Sequence, residues 1–323
     1  MKTIYGTLLL VGASLIAGTV SAQSYPTKPV RIMVGYAPGG GVDTTARIMA
    51  QALGELWGSN VLVENRPGAA GNIATEATAK AAPDGYTLVL CNIGSHAITP
   101  ARFAKRLTYD PVGDFAFPIK IGGIPNVFMV HPSMPIKSLQ QYIDYARRNP
   151  GKLHFGSSGV GASPHLSIEL WKTISKINIV HVPYKGAAAA LADAMSGHIE
   201  SSVGNLAGGP LGAIKAKRVR ALAVTSGVRN AQVPDVPTFA ESGVPGYDVT
   251  GWYGLCTQSK VPQPILDKLA ADGRKLLSGP LKKRLESQGI SVAPATPDEF
   301  REHVKSEIAK WTKVVADAKL TGN

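Results

Sequence analysis

The sequence contains only one long hydrophobic run, few acidic residues and two cysteines, and each shortage excludes a class of protein. The single long run, LLLVGASLIAG, follows Lys2 near the N-terminus and is too short to span a bilayer. The small residues Val20, Ser21 and Ala22 come next, which is typical of a secretory signal peptide. We therefore expect residues 1–22 to be cleaved off after Ala22, and we expect an exported protein that no later segment anchors in a membrane.

Acidic side chains are outnumbered, with 22 Asp and Glu against 34 Lys and Arg, which gives a formal net charge of +12. Such a balance attracts anions, whether small or polymeric. The basic residues are scattered singly, apart from small groups within 215–220 and 282–284, and no nucleic-acid recognition motif accompanies them. Nucleic acid is therefore not an expected partner, and small anions remain.

The two cysteines, Cys91 and Cys256, and the seven histidines show no metal-ligand spacing, so we expect no metal and no cofactor. In an oxidising compartment the two cysteines can form one disulfide. Each also closes an apolar, strand-like run, which suits a small buried thiol equally well. Both alternatives stay open at the level of the sequence.

A glycine-rich loop near the N-terminus is the strongest candidate for a ligand site. An apolar strand from Val30 runs into Pro38 and Gly39–Gly41, after which Asp43 or Thr44 opens an amphipathic helix as its N-cap. Glycines let the backbone approach a ligand closely, and the helix N-terminus behind them carries a partial positive charge. Strand, loop and helix together favour an anion.

A second loop rich in glycine and serine, residues 156–163, repeats this design before another amphipathic helix. Residues 30–95 have the pattern β-α-β-α-β, which predicts a parallel sheet with crossover helices, and a second β/α set extends to residue 226. Ligands collect at the carboxyl ends of such strands. The loop 36–43 and a predicted polar loop, 92–96, should therefore share one rim.

The chain crosses between the two β/α sets twice, near 123–127 and near 245–251. We expect one discontinuous domain made of residues 23–124 and 246–323, and a second domain made of residues 125–245. Two such domains facing each other across a cleft suit ligand capture by hinge closure.

Two local features complete the predicted fold. Gly122 and Gly123 are expected to break the segment around them into two strands. Amphipathic helices are predicted at about 263–278 and 297–318, with the stretch 281–290 separating them.

A serine hydrolase is the enzymatic alternative, with Ser158 or Ser163 as the nucleophile. Neither GSSGVG nor GASPH reproduces the G-x-S-x-G nucleophile elbow. Ser163 and His165 lie two residues apart at a predicted helix start, where they cannot form a nucleophile–base contact, and His96 has no evident acid partner. The glycines at 39–41 also lack the G-x-G-x-x-G spacing of a dinucleotide site. We therefore do not expect an enzyme.

A ligand-binding site explains the same residues without these difficulties, because each glycine-rich loop can hold one carboxylate through neutral donors. Asp43 is assigned to capping, Ser163 either caps its helix or contacts the ligand, and His165 and Trp171 should lie on the buried face of that helix. The expected ligand contacts are Tyr36, Ala37, Gly39, Gly40, Gly41, Asn92, Ser95, His96, Ser157, Ser158, Gly161, Ala162, Ser163, Tyr184, Gly204 and Asn205.

The runs VGYAPGGGVDTTARIMA, VLVENRPGAAGNIATEATAKAAPDGYTL, HFGSSGVGASPHLSIEL and VPYKGAAAALADAMSGHIESSV, with the PDVPT connector, resemble a known family. The sequence is similar to the periplasmic solute-binding subunit of tripartite tricarboxylate transporters, the Bug (TctC-like) family, over essentially the whole mature chain. The resemblance implies a two-lobed, type II periplasmic-binding-protein (Venus flytrap) fold of class α/β, in which each lobe is a mostly parallel sheet flanked by helices.

The resemblance also implies a function. A di-, tri- or aromatic carboxylate would be held between the loops 36–41 and 156–163, partly through water, by a monomer that delivers it to membrane permease subunits. An alternative is a ligand-sensing subunit for a membrane sensor kinase. Many family members carry an acidic residue after the strand that matches IESSV, suited to an amine, whereas this sequence has Gly204 and Asn205. That departure argues against aspartate or glutamate as the ligand.

Overall fold

The structure is a computed structural model that describes residues 25–317 and residue 320. The predicted signal peptide and its cleavage site lie outside the described residues. Within the described part of the chain, no helix is long and apolar enough to cross a membrane.

The first part of the chain forms the predicted β-α-β-α-β unit. β1 lies between β2 and β3 and pairs with both in parallel, so that Ile32 is opposite Val63 on one side and Leu88 on the other. β1 and β3 are apolar and almost wholly buried, as expected for strands that helices cover on both faces. The elements are β1 (Val30–Val34), α1 (Gly41–Trp57), β2 (Val61–Asn65), α2 (Asn72–Ala79) and β3 (Thr87–Asn92).

The predicted polar loop at 92–96 is wrong, because β3 runs directly into helical structure. A π-helical turn, Gly94–Ile98, leads into α3 (Thr99–Phe103). The side-chain oxygen of Asn92 accepts the backbone N–H of Gly94 at 2.8 Å, which satisfies one of the free donors at the start of a helical turn.

The predicted strand break at Gly122 and Gly123 is also wrong, because β4 (Phe115–Val130) is one continuous strand. The short strand β10 (Ser291–Val292) pairs with these two glycines in antiparallel orientation. A side chain on Gly122 would collide with the carbonyl oxygen of Ser291. Gly122 therefore makes room for the neighbouring strand β10.

A second β/α set follows β4. Its first helix begins as predicted, since the hydroxyl of Ser138 accepts the N–H of Gln141 at 3.2 Å. β5 pairs in parallel with β6 and β7, while β7 and β8 pair with β4 in antiparallel orientation. The elements are α4 (Leu139–Arg148), β5 (His154–Ser157), α5 (Ser163–Ser175), β6 (Val180–Pro183), α6 (Ala187–Ser196), β7 (Ser201–Asn205), α7 (Gly209–Lys215) and β8 (Arg220–Val224).

The chain then returns to the first β/α set through β9 (Thr250–Gln258), which lies antiparallel between β3 and β4. A disulfide between Cys91 and Cys256 links β3 to β9, which decides the alternative left open by the sequence. Three helices end the fold: α8 (Gln263–Leu277), α9 (Pro280–Ser287) and α10 (Pro297–Asp317). α9 lies in the stretch 281–290, which was expected only to separate the last two helices. It buries only Leu281 and Leu285, and two apolar positions are too few to predict a helix from the sequence.

The strands form one mixed sheet in the order β2-β1-β3-β9-β4-β7-β5-β6, with β8 and β10 also pairing with β4. Parallel pairing is confined to the outer strands, and β4 and β9 run antiparallel to their neighbours. Along β4 the partner changes between Pro125, which is opposite Thr250, and Asn126, which is opposite Asn205. We call the part around β1–β3, β9 and β10 the first lobe and the part around β5–β8 the second lobe.

Candidate functional site

A small inner cavity lies where the two lobes meet. Its volume is about 10 Å³, which is room for roughly one water molecule. None of its described lining residues is charged, although both lobes contribute polar side chains. A larger molecule can enter only if the two sides separate. The lining residues are Tyr36, Val42, Asn92, Ile93, Ile124, Ser158, Ser163, Pro164, Asn205, Gly251 and Tyr253.

The glycine loop after β1 is fixed by Asp43, which is the third residue of α1. The predicted N-cap at Asp43 or Thr44 is wrong, because Gly40 occupies the cap position. The Asp43 carboxylate accepts the N–H of Gly39 at 3.0 Å and also binds Arg47 and Asn65, each at 2.9 Å. Burial opposes ionisation, but these hydrogen bonds outweigh it and hold the pKa of Asp43 below its usual value. Asp43 therefore shapes the loop, and the Gly39 amide is already satisfied.

Gly40 and Gly41 bring the start of α1 against the second lobe. A Cβ on Gly40 would lie 3.6 Å from the Cβ of Ala187, which is an ordinary contact. A Cβ on Gly41 would lie 3.0 Å from the Cβ of Asn205, which is tighter than an ordinary contact. Ala37 also reaches the second lobe, at 2.9 Å from a Cβ built on Gly186.

Tyr36 lines the cavity with its ring, but its hydroxyl is already bonded. The hydroxyl donates to the carbonyl oxygen of Ala70 at 2.8 Å, and Asn65 donates to the Tyr36 carbonyl oxygen at 3.0 Å. Burial raises the pKa of Tyr36 above its usual value. Tyr36 thus anchors the neighbouring loop and offers the cavity its ring.

The three residues predicted at the end of β3 are not brought together at the cavity. Asn92 lines it, whereas Ser95 and His96 lie behind, with the Ser95 hydroxyl 2.9 Å from Nδ1 of His96. The His96 ring is fully buried against Phe115, at 4.8 Å between ring centroids, and near Trp252. Burial lowers the pKa of His96 to about 3, so the ring is neutral and part of the core.

Two histidines hold the loop 156–163 in place. The hydroxyl of Ser157 lies 2.7 Å from Nε2 of His181, and the Gly161 amide donates to Nδ1 of His165 at 3.1 Å. The two imidazole rings stack at 3.9 Å between centroids. His165 is buried as predicted, but its contact with His181 depends on the pairing of β5 with β6 and gave no signal in the sequence. Ser157 and Gly161 therefore support the loop, and neither lines the cavity.

Ser163 lines the cavity and does not cap α5, whose N-cap is Ala162. The side-chain nitrogen of Asn126 donates to the Ser163 oxygen at 3.0 Å and to the Ser167 oxygen at 3.3 Å. Asn205 in turn donates to the Asn126 oxygen at 2.8 Å. Because Ser163 is the acceptor towards Asn126, its own hydrogen remains available to a ligand. Asn126 organises this network, and sequence reasoning missed it.

Gly204 and Tyr184 face other surroundings. A Cβ on Gly204 would meet Pro210 at 3.3 Å and Ala187 at 3.5 Å, so this glycine packs against helices. The Tyr184 hydroxyl donates to the Asp193 carboxylate at 2.6 Å. Burial and, to a smaller extent, this carboxylate raise the pKa of Tyr184 to about 12. Tyr184 lines a separate depression of about 280 Å³, which borders the inner cavity through the shared residues Tyr36 and Ser158.

Tyr253 is a cavity residue that the sequence reasoning did not find. The register of β9 sets it opposite Asn92, at the end of β3. Its hydroxyl is buried and has no hydrogen-bond partner among the described residues. The only signal in the sequence was its place on an apolar strand, which any core tyrosine shares.

Known proteins are similar to this chain over most of its length. Residues 45–320 match the family described as the tripartite tricarboxylate transporter family receptor, TctC. The protein BugT of Bordetella pertussis (strain Tohama I) is 31% identical over 310 residues, which cover 96% of this chain and 95% of BugT.

Two solved structures with bound carboxylates have the same fold. The structure of Rpa4515 from R. palustris with adipate has a TM-score of 0.87 and 34% identity, covering 91% of this chain and 98% of that one. MatC (Rpa3494) from Rhodopseudomonas palustris with bound malate has a TM-score of 0.83 and 29% identity, covering 90% of this chain and 100% of that one. The expected two-lobed α/β fold is therefore confirmed. With its family match and these relatives, the chain belongs to the receptor family of tripartite tricarboxylate transporters, whose members are periplasmic solute-binding proteins.

Proposed function

We propose that this protein captures a carboxylate that lacks an amino group, between its two lobes, and delivers it to the permease subunits of a tripartite transporter. The observation that carries the proposal is the inner cavity, which offers neutral hydrogen-bond donors from both lobes and no charged side chain. The relatives with adipate and malate support a dicarboxylate as the ligand class.

The donors suit the two ends of such a ligand. The first-turn N–H groups of α1 have no acceptor inside the helix, and the helix dipole favours negative charge there. From the second lobe, Ser158 and Ser163 line the same cavity, and the Ser163 hydrogen is not needed for its bond with Asn126. Carboxylates bound through several such donors need no cationic partner.

The lack of an acidic side chain argues against an amino-acid ligand. An ammonium group needs acceptors, and buried ammonium is costly unless a carboxylate pairs with it. Asp43, the carboxylate nearest to the loop in sequence, is committed to Gly39, Arg47 and Asn65. A ligand with a hydrogen or a hydroxyl in place of the amine therefore fits the cavity better.

Capture requires the lobes to open and close, because the cavity is too small for a dicarboxylate. We assign residues 23–124 and 246–323 to the first domain and 125–245 to the second. The change of partner along β4 between Pro125 and Asn126 supports this boundary. We also propose that the protein is a monomer exported to the periplasm after cleavage at Ala22, and that it has no catalytic activity.

A thermal-shift screen of the mature protein tests the proposal with mono-, di-, tri- and aromatic carboxylates, and with aspartate and glutamate as amino controls. A ligand at 100 times its Kd stabilises the folded state by about 2.7 kcal/mol, which raises the melting temperature by several degrees. We expect stabilisation by at least one carboxylate without an amino group. A flat response to the whole panel would contradict the proposal.

A further inference from the structure

Tyr253 stands out because it is the one cavity tyrosine with an uncommitted hydroxyl. Its side chain is only 2% exposed, and the hydroxyl has no hydrogen-bond partner among the described residues. A buried hydroxyl without a partner destabilises the fold, so its presence calls for a reason. The hydroxyl of Tyr36, on the same cavity, is used by the Ala70 carbonyl oxygen.

The Tyr253 hydroxyl lies at the N-terminus of α1. A Cβ built on Gly41, the first residue of that helix, would be 3.2 Å from it. α1 has 17 residues, so its dipole is well developed, and its first-turn amides have no acceptor inside the helix. A hydroxyl donor and a helix N-terminus thus converge on one point of the cavity.

The hydroxyl at this point is a donor at all physiological pH values. Burial, and the neighbouring Tyr36, raise the pKa of Tyr253 well above its usual value. A neutral hydroxyl beside free amides suits an atom with several lone pairs and negative charge. An ammonium group at the same point would have no lone pair to offer, and the helix dipole would repel it.

We propose that Tyr253 donates its hydroxyl hydrogen to one oxygen of the ligand carboxylate seated at the N-terminus of α1, and that it is a specificity-determining residue. This inference rests on the proposed function, because it concerns the same cavity. The Tyr253 hydroxyl would gain its missing partner only when the ligand is bound. Its loss should therefore weaken binding without weakening the unliganded fold.

The test compares Tyr253→Phe with Tyr142→Phe. Tyr142 is a matched control, because it is fully buried in the second lobe and its hydroxyl is already bonded to the Ser201 hydroxyl at 2.9 Å. Melting temperatures are measured without ligand, and affinities are measured by calorimetry with adipate, malate and any other carboxylate that stabilises the wild type.

We expect Tyr253→Phe to keep or raise the melting temperature and to weaken carboxylate binding by about tenfold or more. Tyr142→Phe should lower the melting temperature and leave the affinity unchanged. Equal affinity of Tyr253→Phe and the wild type would overturn the assignment of Tyr253 while leaving the receptor function intact. A wild type that binds no carboxylate would refute the proposed function and this inference together.

Discussion

Two stacked histidines determine the conformation of the second-lobe loop. Nδ1 of His165 accepts the Gly161 amide, which requires that this nitrogen be unprotonated. Burial lowers the pKa of His165 most, and electrostatic repulsion from His181, Arg102 and Lys172 lowers it further, to about 2. Burial and Lys172 lower the pKa of His181 to about 4, and the Glu169 carboxylate lies 3.8 Å from Nε2 of His165. The loop is therefore held by neutral imidazoles, and protonation of Nδ1 of His165 would break its contact with the Gly161 amide.

The depressed histidine pKa values predict acid-sensitive stability. Folded pKa values below about 6.5 mean that the unfolded chain takes up protons first as the pH falls, so stability is full above about pH 6.5 and is lost below it. His96 and His303 are shifted in the same direction, to about 3 and about 4. Each such histidine adds up to about 1.4 kcal/mol per pH unit to the slope.

Urea unfolding between about pH 5 and 8 measures this slope, in a window above the range where carboxylates titrate. His181→Gln should be less stable at pH 7.5 and should show a smaller loss of stability on acidification than the wild type. An unchanged slope in the variant would contradict the assignment of His181 as a partly buried, neutral imidazole.

Single residues also show how far the sequence could predict the site. Tyr36, Asn92, Ser158, Ser163 and Asn205 were expected at a ligand site and do line one cavity, because each lies at the end of a recognisable strand or in a glycine-rich loop.

Asn126 and Tyr253 were not found. Asn126 meets Ser163 across 37 residues of sequence, and Tyr253 reaches Asn92 only through the antiparallel insertion of β9 beside β3. Neither partnership has a local signature.

At the level of elements, the start of α1 sets how closely the lobes approach. Gly41→Ala would force a Cβ to within 3.0 Å of the Asn205 Cβ and 3.2 Å of the Ala207 Cβ. Overpacking of this kind costs about 1–3 kcal/mol, and the cost falls on the closed form. We expect carboxylate binding to weaken by roughly 5- to 150-fold, as measured by calorimetry.

Gly40→Ala is the matched control for this prediction. Its added Cβ would meet the Ala187 Cβ at 3.6 Å, an ordinary contact, so we expect affinity within a factor of about two of the wild type. Equal affinities in the Gly41→Ala and Gly40→Ala variants would show that the start of α1 does not limit lobe closure.

The disulfide fastens β9 to β3 within the first lobe. Cys91 and Cys256 are separated by 165 residues, a span that contains the whole second lobe. Cross-links of such long loops stabilise by about 2–5 kcal/mol. We expect reductant to lower the urea midpoint of the wild type, to leave a Cys91→Ala variant unaffected, and to leave carboxylate affinity unchanged. A wild-type midpoint insensitive to reductant, with the thiols shown to be free, would contradict this prediction.

The β-α-β units and α1, α4, α5, α6, α8 and α10 could be predicted because each has a clear periodicity and recognisable ends. β4 could not be predicted, because Gly122 and Gly123 usually mark a break. The strand that requires Gly122, β10, is far along the chain, where Ser291 lies opposite Gly123.

Across the whole molecule, the chain passes between the lobes at two places. One is within β4, which changes partners between Pro125 and Asn126, and the other is just before β9, which begins at Thr250 opposite Pro125. The cavity between the lobes has a volume of only about 10 Å³, so the proposed capture requires the lobes to open first and to close afterwards. The polar network of Asn126, Ser163 and Asn205 lies directly beside this junction. Ligand contact and lobe closure are therefore expected to be one coupled event.

The central claim is that a carboxylate without an amino group is bound between the lobes, and calorimetric titration with a matched ligand pair tests it most directly. The mature protein is titrated with the tightest carboxylate of the thermal-shift panel and with its amino-substituted counterpart, as malate is matched by aspartate. We predict saturation at one ligand per chain, with the amino compound weaker by about tenfold or more. Equal or tighter binding of the amino compound, or no saturable binding of any carboxylate, would contradict the claim.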